Sequence, residues 1–508
     1  MEQITYQPLN LYSNYANAAK QFPQTKIVFD EILGAFPEFG FETTYQKSHE
    51  LIMKRAAQLA HFGIKKGDNV IIYKSPKFDS YLLAVAVSYL AAVPVMVSYH
   101  LPTTTIEVFI ERLEDPYVIY DEQTANKVAE VNNSSEGKQV AISDILNQMA
   151  SPVGQEKLKP AEISYMTHTS GTTGIPKLIC HSAESMGWRT KWQMTVFTKM
   201  VEKEIVAFHI SPVHSRFNIG VSSLMAMGFP MLPLANATSE SVSQQLKKYR
   251  PMALETHPNN FVQWSFQAVE DPDTFASVKY FHSTFDAINN RTMAAFLRAT
   301  KRSRARFLQV YGQSECGPMI LRAHTLSSLQ NSNARDMGVG LGELTKARIA
   351  DQSGNELPVN TNGNIHLLSK GRALTYYKED ERFQQTVFGK WWDSGDYGSI
   401  DERGHLFLKD RQVDLIEKID SNLAIEDYLL DRLAFLQEVI IVRDQNKHAQ
   451  PVISLAEGRS MDWATWWQAI NDLPHLNPPL IREFEKLPRT ATMKVQRLQL
   501  EQELKVSE

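Results

Sequence analysis

The sequence predicts an α/β protein with a large N-terminal domain and a small C-terminal one. Helical and strand patterns alternate over the first half of the chain and beyond, which implies parallel strands covered by helices. Short strands separated by turn residues follow from about Asn355, and a separate set of elements follows Arg411. A chain of 508 residues is too long for one compact core. We expect parallel α/β subdomains and a small β-rich subdomain in residues 1–409, and a small α+β domain in residues 410–508.

The alternating elements follow from apolar periodicity. Ser48 predicts the N-cap of a helix that reaches about Phe62 and ends before Gly63. The run "YLLAVAVSYLAAVPVMVSY" predicts a buried helix, a turn and a buried strand, because Pro94 divides it. A membrane span is the alternative for this run, and no second span supports it. Further strands are predicted in "DNVIIYK", "VKYFHSTFDAI", "RFLQVYG", "GNIHLLS" and "GHLFLKD".

Composition excludes several classes of protein. Charged residues make up 22% of the chain and the formal net charge is −4, so no basic field indicates a nucleic-acid partner. Cys180 and Cys316 are the two cysteines, which excludes a disulfide scaffold and fits a reducing cytoplasm. No basic segment followed by an apolar one marks a signal peptide near residue 1. We expect a cytoplasmic protein with no membrane span.

The stretch "TSGTTGIPK", Thr169 to Lys177, predicts a phosphate-binding loop. Its glycines let the backbone approach a ligand, successive backbone N–H groups form an anion site, and Lys177 adds a positive charge. A surface linker is the alternative interpretation. Apolar runs before and after the loop predict flanking strands and favour the ligand site. The hydroxyl and glycine residues of the loop are Thr169, Ser170, Gly171, Thr172, Thr173 and Gly174.

The loop resembles the phosphate loop of the adenylate-forming superfamily, which includes acyl-CoA synthetases, nonribosomal-peptide adenylation domains and luciferases. Four further segments resemble family motifs in family order: "VYGQSECGP", "WWDSGDYG", "DRQVDLI" and "LPRTATMKVQR". The resemblance covers roughly residues 30–500. The resemblance implies that ATP and a carboxylic acid form an acyl-AMP with release of pyrophosphate. It also implies a mobile C-terminal domain that carries a catalytic lysine.

The resemblance implies roles for single residues. Glu315 would hold Mg²⁺, which prefers oxygen ligands and phosphate bridges. Lys494 would bridge the substrate carboxylate and the α-phosphate, and Lys177 would add charge in the phosphate loop. Asp286 would either contact the adenine amino group or cap a helix. The remaining implied nucleotide contacts are Tyr311 at adenine, Gly312 and Ser314 near the phosphates, and Asp396 and Arg411 at the ribose.

The resemblance also locates a pocket for the acid. His214, in "SPVHSRFNIG", matches the position where the family places an aromatic residue or a histidine beside the substrate carboxylate. A core histidine is the alternative for this position. Phe217, Asn218 and residues near Phe285 and Met319 would line the pocket. Their mostly apolar or aromatic character favours an aromatic or medium-chain acid.

The segments that serve the second half-reaction depart from the family pattern. Val413 stands at the hinge position where the family has Asp or Lys, and Asp420 replaces the glycine that lines the pantetheine tunnel. Met493 replaces the glycine before the catalytic lysine, and Leu178 the glycine after the phosphate-loop lysine. Asp420 would add bulk and negative charge near a polyanionic cofactor. Free CoA is therefore expected to be a poor acceptor.

Three functions are open on the sequence alone. The first is activation of a carboxylic acid by ATP, followed by transfer to a thiol of CoA or of phosphopantetheine on an acyl or peptidyl carrier protein, in secondary metabolism. The second is acyl-AMP formation or nitrite activation, followed by amide or N–N bond formation. The third is a non-catalytic nucleotide-binding homologue, which the retained lysines and carboxylates disfavour.

Overall fold

The structure is a computed structural model that describes residues 4–131, 136–169, 175–200, 202–284, 288–330, 333–490 and 494–506. The chain divides into two compact units. The first consists of Met1–Thr256, Gly312–Pro318 and Ser369–Gln385, and the second of His257–Tyr311, Met319–Leu368 and Thr386–Glu508. The predicted α/β class is confirmed. The domain boundary between residues 409 and 410 stays a prediction.

The first unit contains a seven-stranded sheet with a parallel centre. Asn69–Lys74 pairs in parallel with Val93–Ser98 on one side and with Tyr117–Tyr120 on the other. Ile163–His168 and Leu178–Ser182 form an antiparallel pair, so the predicted phosphate loop connects two neighbouring strands. The order across the sheet is Thr375–Tyr376, Leu178–Ser182, Ile163–His168, Val93–Ser98, Asn69–Lys74, Tyr117–Tyr120 and Gln139–Ala141.

A second group of strands in the first unit is parallel except at its edge. Val206–His209 pairs in parallel with Met231–Pro233 and with Ala253–Thr256. Lys26–Val28 pairs in parallel with Met231–Pro233, and Glu42–Thr44 pairs antiparallel with Lys26–Val28 as the edge strand. The alternation of strands and helices in the sequence produces parallel pairing here, because each connecting helix returns the chain to the same edge of the sheet.

The helices of the first unit include one whose start differs from the prediction. The predicted N-cap Ser48 lies inside the helix Tyr45–His61, and Thr44 caps this helix by accepting the Lys47 N–H on Oγ1 at 3.2 Å. Both residue types cap helices, and Thr44 does so because it ends the preceding strand. Among the described residues, no helix is long and apolar enough to cross a membrane. The helices are Leu11–Gln21, Tyr45–His61, Phe78–Tyr89, Thr103–Leu113, Ala125–Ala129, Ile142–Asn147, Ala183–Phe197, Ser215–Ala226, Ser239–Tyr249 and Asp380–Gln384.

The sheet of the second unit changes from parallel to antiparallel pairing. Tyr280–Ser283 and Arg306–Gln313 pair in parallel. Trp391–Ile400 pairs antiparallel with Gly363–Ser369 on one side and with Leu406–Arg411 on the other, within the region predicted to be β-rich. The strand order is Thr345–Ala350, Gly363–Ser369, Trp391–Ile400, Leu406–Arg411, Asp336–Gly340, Gly317–His324, Arg306–Gln313 and Tyr280–Ser283, with Val387–Phe388 beside Trp391–Ile400.

The C-terminal part of the second unit has its own sheet and apolar core. Leu436–Arg443 and Ala449–Leu455 pair antiparallel, and Leu480–Ile481 adds to the second of them in parallel. Buried residues between Ile416 and Leu500 form two apolar clusters around this sheet. The described helices of the second unit are Pro258–Glu270, Asn290–Ala299, Leu326–Leu329, Asn422–Arg432, Trp463–Ile470 and Arg497–Val506.

Candidate active site

The two ends of the predicted phosphate loop are bonded to each other. The Thr169 N–H donates to the Lys177 carbonyl at 3.0 Å, and the Lys177 N–H donates to Thr169 Oγ1 at 3.0 Å. These bonds continue the antiparallel pairing of the two strands that flank the loop. The sheet therefore fixes where the loop begins and ends. The predicted loop residues Ser170, Gly171, Thr172, Thr173 and Gly174 lie outside the described residues.

His168 holds the entry to this loop. Its Nδ1 donates to the Thr169 carbonyl at 2.7 Å, and its Nε2 accepts the Ser98 N–H at 3.1 Å. Burial lowers the pKa of His168, and the accepting Nε2 requires the neutral ring. The sequence analysis missed this residue, because a single histidine at a strand end has no distinguishing pattern.

Lys177, Tyr376 and Glu315 come together in the first unit. The Tyr376 hydroxyl donates to Glu315 Oε1 at 2.8 Å. The Lys177 Nζ donates to the Tyr376 hydroxyl oxygen at 3.3 Å and lies 4.4 Å from the centre of its ring. Burial lowers the pKa of Lys177, which the Glu315 carboxylate opposes, and burial together with Glu315 raises the pKa of Tyr376. The phenol therefore stays protonated and separates a cation from a carboxylate by one hydroxyl group.

Glu315 has the chemistry that a magnesium ion requires. Among the described residues, no group of three or more His, Cys, Asp or Glu side chains could hold a metal ion. Mg²⁺ is commonly bound through one or two carboxylates together with phosphate oxygens, and it does not require such a group. A single glutamate beside the phosphate-loop lysine fits this mode of binding. The metal assignment stays a prediction.

Arg189 holds the turn that carries Glu315. Its guanidinium donates to the carbonyls of Ser314 at 2.9 Å, Glu315 at 2.8 Å and Gly371 at 2.6 Å. Arg189 is 1% exposed, and burial lowers its pKa to about 10, so it is charged at neutral pH. Buried charged donors that are bonded to backbone carbonyls fix the backbone strongly. Glu315 is thus held through its main chain, which leaves its carboxylate to face Tyr376.

Two glycines provide the space that Arg189 occupies. A Cβ atom on Gly317, whose φ is +80°, would lie 2.8 Å from the Arg189 side chain. A Cβ atom on Gly371 would lie 2.6 Å from it. Cys316, between Glu315 and Gly317, is buried, and burial raises the pKa of its thiol to about 12. This cysteine is a thiol at neutral pH and not a nucleophile.

Three predicted nucleotide contacts come together in the second unit. The Tyr311 hydroxyl donates to Asp396 Oδ2 at 2.7 Å, and Asp396 stands opposite Arg411 in the antiparallel register. Gly395 has a φ of +72°, and Ser394 Oγ accepts the Asp396 N–H at 3.1 Å, so a tight turn orients the carboxylate. The predicted adenine contact Asp286 lies outside the described residues, as does Phe285.

The segment that resembles the family hinge, residues 410–414, is partly exposed, as is Asp420 beyond it. The Gln412 Nε2 donates to Asp393 Oδ1 at 2.9 Å, and Val413 is 51% exposed. The Asp420 side chain is 76% exposed, and Lys409 Nζ donates to its Oδ1 at 2.6 Å. This ion pair offsets the negative charge that the sequence analysis attributed to Asp420. The expectation that free CoA is a poor acceptor stays a prediction.

Asp410 is buried at the start of this segment. Its Oδ2 accepts the Asn422 N–H at 2.9 Å, at the first turn of the helix Asn422–Arg432. Burial raises the pKa of Asp410 to about 7, with a further contribution from Glu426, while the Asn422 bond and Arg497 oppose the rise.

The predicted catalytic lysine is bonded to Thr490, and these two residues define what is called the Lys494 turn. The Thr490 N–H donates to the Lys494 carbonyl at 2.8 Å, and the Lys494 N–H donates to Thr490 Oγ1 at 3.1 Å. Arg489 and Val495 form an antiparallel bridge that continues these bonds. Residues 491–493, which include the glycine replacement Met493, lie outside the described residues. The role of Lys494 stays a prediction.

His214 is buried directly before the helix Ser215–Ala226. Phe217, one turn along, packs its ring within 6.0 Å of the rings of Phe78 and Tyr81, which is the apolar environment that the sequence predicts for an acid pocket. The roles of His214 and Phe217 stay predictions.

Arg216 departs from this apolar character. Its Nε and one terminal nitrogen donate to the two Glu255 oxygens at 2.6 and 2.7 Å, and its other terminal nitrogen donates to Gln193 Oε1 at 2.5 Å. This buried polar group lies two residues from His214. The sequence analysis missed it because its members are far apart in the chain.

Comparison with known proteins shows the family of this chain. Residues 15–377 match the family described as AMP-binding enzyme. The chain is 33% identical to the 3-amino-2-hydroxy-4-methoxybenzoate diazotase of Streptomyces cremeus, over 95% of this chain and 93% of that protein.

Solved structures share the fold at lower identity. An anthranilate CoA ligase in complex with anthranoyl-AMP superimposes with a TM-score of 0.83 and 17% identity, over 99% of this chain and 98% of that one. The O-succinylbenzoate coenzyme A synthetase of Bacillus subtilis, in complex with AMP, gives 0.80 and 15% over 98% of both chains. The fold and the family match define an ATP-dependent, AMP-forming ligase. The chain belongs to the AMP-binding enzymes of the adenylate-forming superfamily.

Replacing Arg189 with Lys should loosen the Glu315 turn. A lysine cannot direct several coplanar donors at separate carbonyls, so at least one charged hydrogen bond is lost, at a cost of about 2–3 kcal/mol. We expect a lower unfolding midpoint and slower pyrophosphate release in Arg189→Lys. Lys191→Arg, on the same helix, is the matched control and should leave both unchanged. A parental midpoint and rate in Arg189→Lys would contradict the role given to Arg189.

Replacing Asp410 with Asn should change how stability depends on pH. Because burial raises the pKa of Asp410 from its ordinary value of 3.8 to about 7, folding stability falls as pH rises through this window. The loss amounts to at most about 4 kcal/mol. Asparagine cannot ionise, so the unfolding midpoint of Asp410→Asn should rise relative to the parent between pH 4.5 and 8. Asp472→Asn, an exposed change, should show no such trend. A constant difference between Asp410→Asn and parent would refute the raised pKa.

Proposed function

We propose that this enzyme activates nitrite with ATP and transfers it to an aromatic amine, forming an N–N bond. The observation that carries this choice is 33% identity, over 95% of this chain, to a diazotase that is named for an amino-hydroxy-methoxybenzoate. Diazotisation joins an aromatic amine nitrogen to a nitrogen at the oxidation level of nitrite. It needs the adenylation residues and no thiol acceptor, which fits the departures from the family pattern at Val413 and Met493.

The first step joins nitrite to AMP. A nitrite oxygen attacks the α-phosphorus, the bond to the bridging oxygen breaks, and pyrophosphate leaves with that oxygen. The product is a mixed anhydride of nitrite and AMP. Two anions must approach each other, so positive charge is needed where the transition state gathers negative charge. Lys177 and Lys494 supply this charge in our proposal.

Magnesium would take part in this step. Glu315 would hold the ion together with phosphate oxygens, and the ion would neutralise charge on the polyphosphate. The Tyr376 hydroxyl orients the Glu315 carboxylate at 2.8 Å. Lys177, bonded to the same hydroxyl at 3.3 Å, would contact the phosphates. Asp396 and Tyr311 would hold the nucleoside.

The second step forms the N–N bond. The amine nitrogen attacks the nitrogen of the anhydride, the N–O bond to AMP breaks, and AMP leaves with both electrons. Loss of a proton from the amine gives an N-nitrosamine. Proton transfer to its oxygen and loss of water then give the diazo product. No oxidant or reductant is needed, because nitrite already carries the required oxidation level.

The decisive measurement compares nitrite with carboxylic acids at pH 8, where nitrite without ATP does not diazotise amines appreciably. We expect pyrophosphate release that depends on nitrite, and, with an aminohydroxybenzoate present, a product that gains one nitrogen from ¹⁵N-nitrite by mass spectrometry. Omission of ATP is the control for spontaneous reaction. Pyrophosphate release with benzoate or octanoate, and none with nitrite, would refute the proposal.

A second candidate is transfer of an aromatic or medium-chain acid to a thiol of CoA or of a carrier protein's phosphopantetheine. The observation that favours it is the ion pair of Asp420 with Lys409, which offsets the charge expected to repel CoA. The assay above separates the candidates, because this one requires acid-dependent pyrophosphate release followed by an acyl thioester. Asp420→Gly should then leave thioester formation unchanged.

Replacing Lys494 with Ala should slow the first step under either candidate. Removing one preorganised charge donor costs on the order of 10²–10³ in rate. Pyrophosphate exchange measured at saturating ATP should therefore fall by that factor. Lys486→Ala removes an exposed lysine of the same region and should have no effect. Exchange at the parental rate in Lys494→Ala would show that the catalytic lysine lies elsewhere.

A further inference from the structure

Arg497 lies three residues after Lys494, at the start of the last described helix. Its two terminal nitrogens donate to Glu426 Oε1 at 2.6 Å and Glu426 Oε2 at 2.8 Å, and one of them also donates to the Ile441 carbonyl at 2.9 Å. The Arg497 side chain is 15% exposed. The chain that follows the Lys494 turn is therefore fixed at once to the helix Asn422–Arg432 and to the edge strand Leu436–Arg443.

Arg497 also faces the segment that resembles the family hinge. Its Nε lies 3.8 Å from Asp414 Oδ2. Burial alone would lower the pKa of Arg497, but Glu426, Asp414 and Asp410 raise it overall. The Asn422 side chain donates to the Asp414 carbonyl at 2.8 Å, so Asp414 is itself fixed on the helix that carries Glu426. The Arg497 guanidinium thus contacts Asp414 of the hinge-like segment, while the Arg497 backbone follows Lys494 by three residues.

Stability alone does not account for this arrangement. Three carboxyl groups, those of Asp410, Asp414 and Glu426, surround one buried cation, and burying such groups has a large desolvation cost. Apolar side chains of the same volume often give equal or greater stability. The charged group fixes the orientation of the Arg497 and Glu426 side chains, since the planar guanidinium pairs with a carboxylate in one geometry.

We propose that Arg497 is a positioning residue for adenylation, which ties the base of the Lys494 turn to the hinge-like segment 410–414 so that the two keep one geometry. The inference rests on the proposed role of Lys494. A displacement of about 1 Å at a reacting group can cost on the order of 10²-fold in rate. Loosening this tie should therefore slow adenylation while ATP binding is retained.

The test is a double-mutant cycle between Arg497 and Lys494. Arg497→Lys keeps the charge and loses the paired hydrogen bonds. In the parent background we expect pyrophosphate exchange to fall about 10-fold in kcat, with the KM for ATP within about twofold of the parental value. In the Lys494→Ala background the same change should alter the rate less than about twofold, because the lysine through which Arg497 acts is gone.

Two further variants separate positioning from folding. Arg482→Lys weakens another arginine–glutamate pair on the helix Arg497–Val506 without reaching the hinge-like segment, and it should leave kcat unchanged. Arg497→Met combined with Glu426→Gln removes the guanidinium together with its bidentate partner, so Glu426 does not remain as a buried charge without its cation, and the double variant should still show the lower kcat. Circular dichroism and the unfolding midpoint monitor folding in each case.

The outcomes distinguish a positioning role of Arg497, which acts through Lys494, from a role that is independent of this lysine. An equal loss from Arg497→Lys with and without Lys494 would overturn the inference, because it would mean that Arg497 acts independently of the lysine. An unchanged kcat in Arg497→Lys would overturn it as well. A parental rate in Lys494→Ala would overturn the proposed role of Lys494 and this inference with it, so the two failures are distinguishable.

Discussion

The buried guanidinium of Arg189 is the interaction on which the first unit depends. It donates to backbone carbonyls in the Glu315 turn and at Gly371, so one side chain joins the helix Ala183–Phe197 to the two distant stretches of chain that complete this unit. A guanidinium can do this because its donors lie in one plane and point in several directions. Glu315 and Lys177 both bond to the Tyr376 hydroxyl because the backbone around each of them is fixed.

Motifs made part of this arrangement predictable. Lys177 and Glu315 lie in segments whose residue types follow from phosphate and metal chemistry, and the alternation of strands and helices gave the parallel sheets. Arg189 and Tyr376 could not be found in this way, because their partners lie 126 and 199 residues away along the chain. The predicted N-cap Ser48 was wrong for a local reason, since Thr44 and Ser48 are both residue types that cap helices. Contacts between distant segments are set by packing, which no local pattern records.

In the C-terminal part, the sequence did not predict which carboxylates are buried. Residue type alone made Asp420 look important, because a carboxylate in a tunnel would repel a polyanion. In the structure Asp420 is exposed and paired with Lys409, while Asp410, which the sequence marked only as the start of a motif, is 3% exposed and titrates near neutral pH. Burial determines the pKa and the charge of a carboxyl group, and burial depends on the whole fold.

The bonds between Thr169 and Lys177 make the predicted phosphate loop an exchangeable segment. The strands on either side set the separation of its ends, whatever residues lie between them. Hairpin connections tolerate changes of length and sequence without disturbing the strands, and a longer loop adds little closure entropy. Loops from other members of the family could therefore be transplanted between these two residues without rebuilding the sheet. Differences in nucleotide affinity among such chimaeras would then measure the contribution of the loop sequence alone.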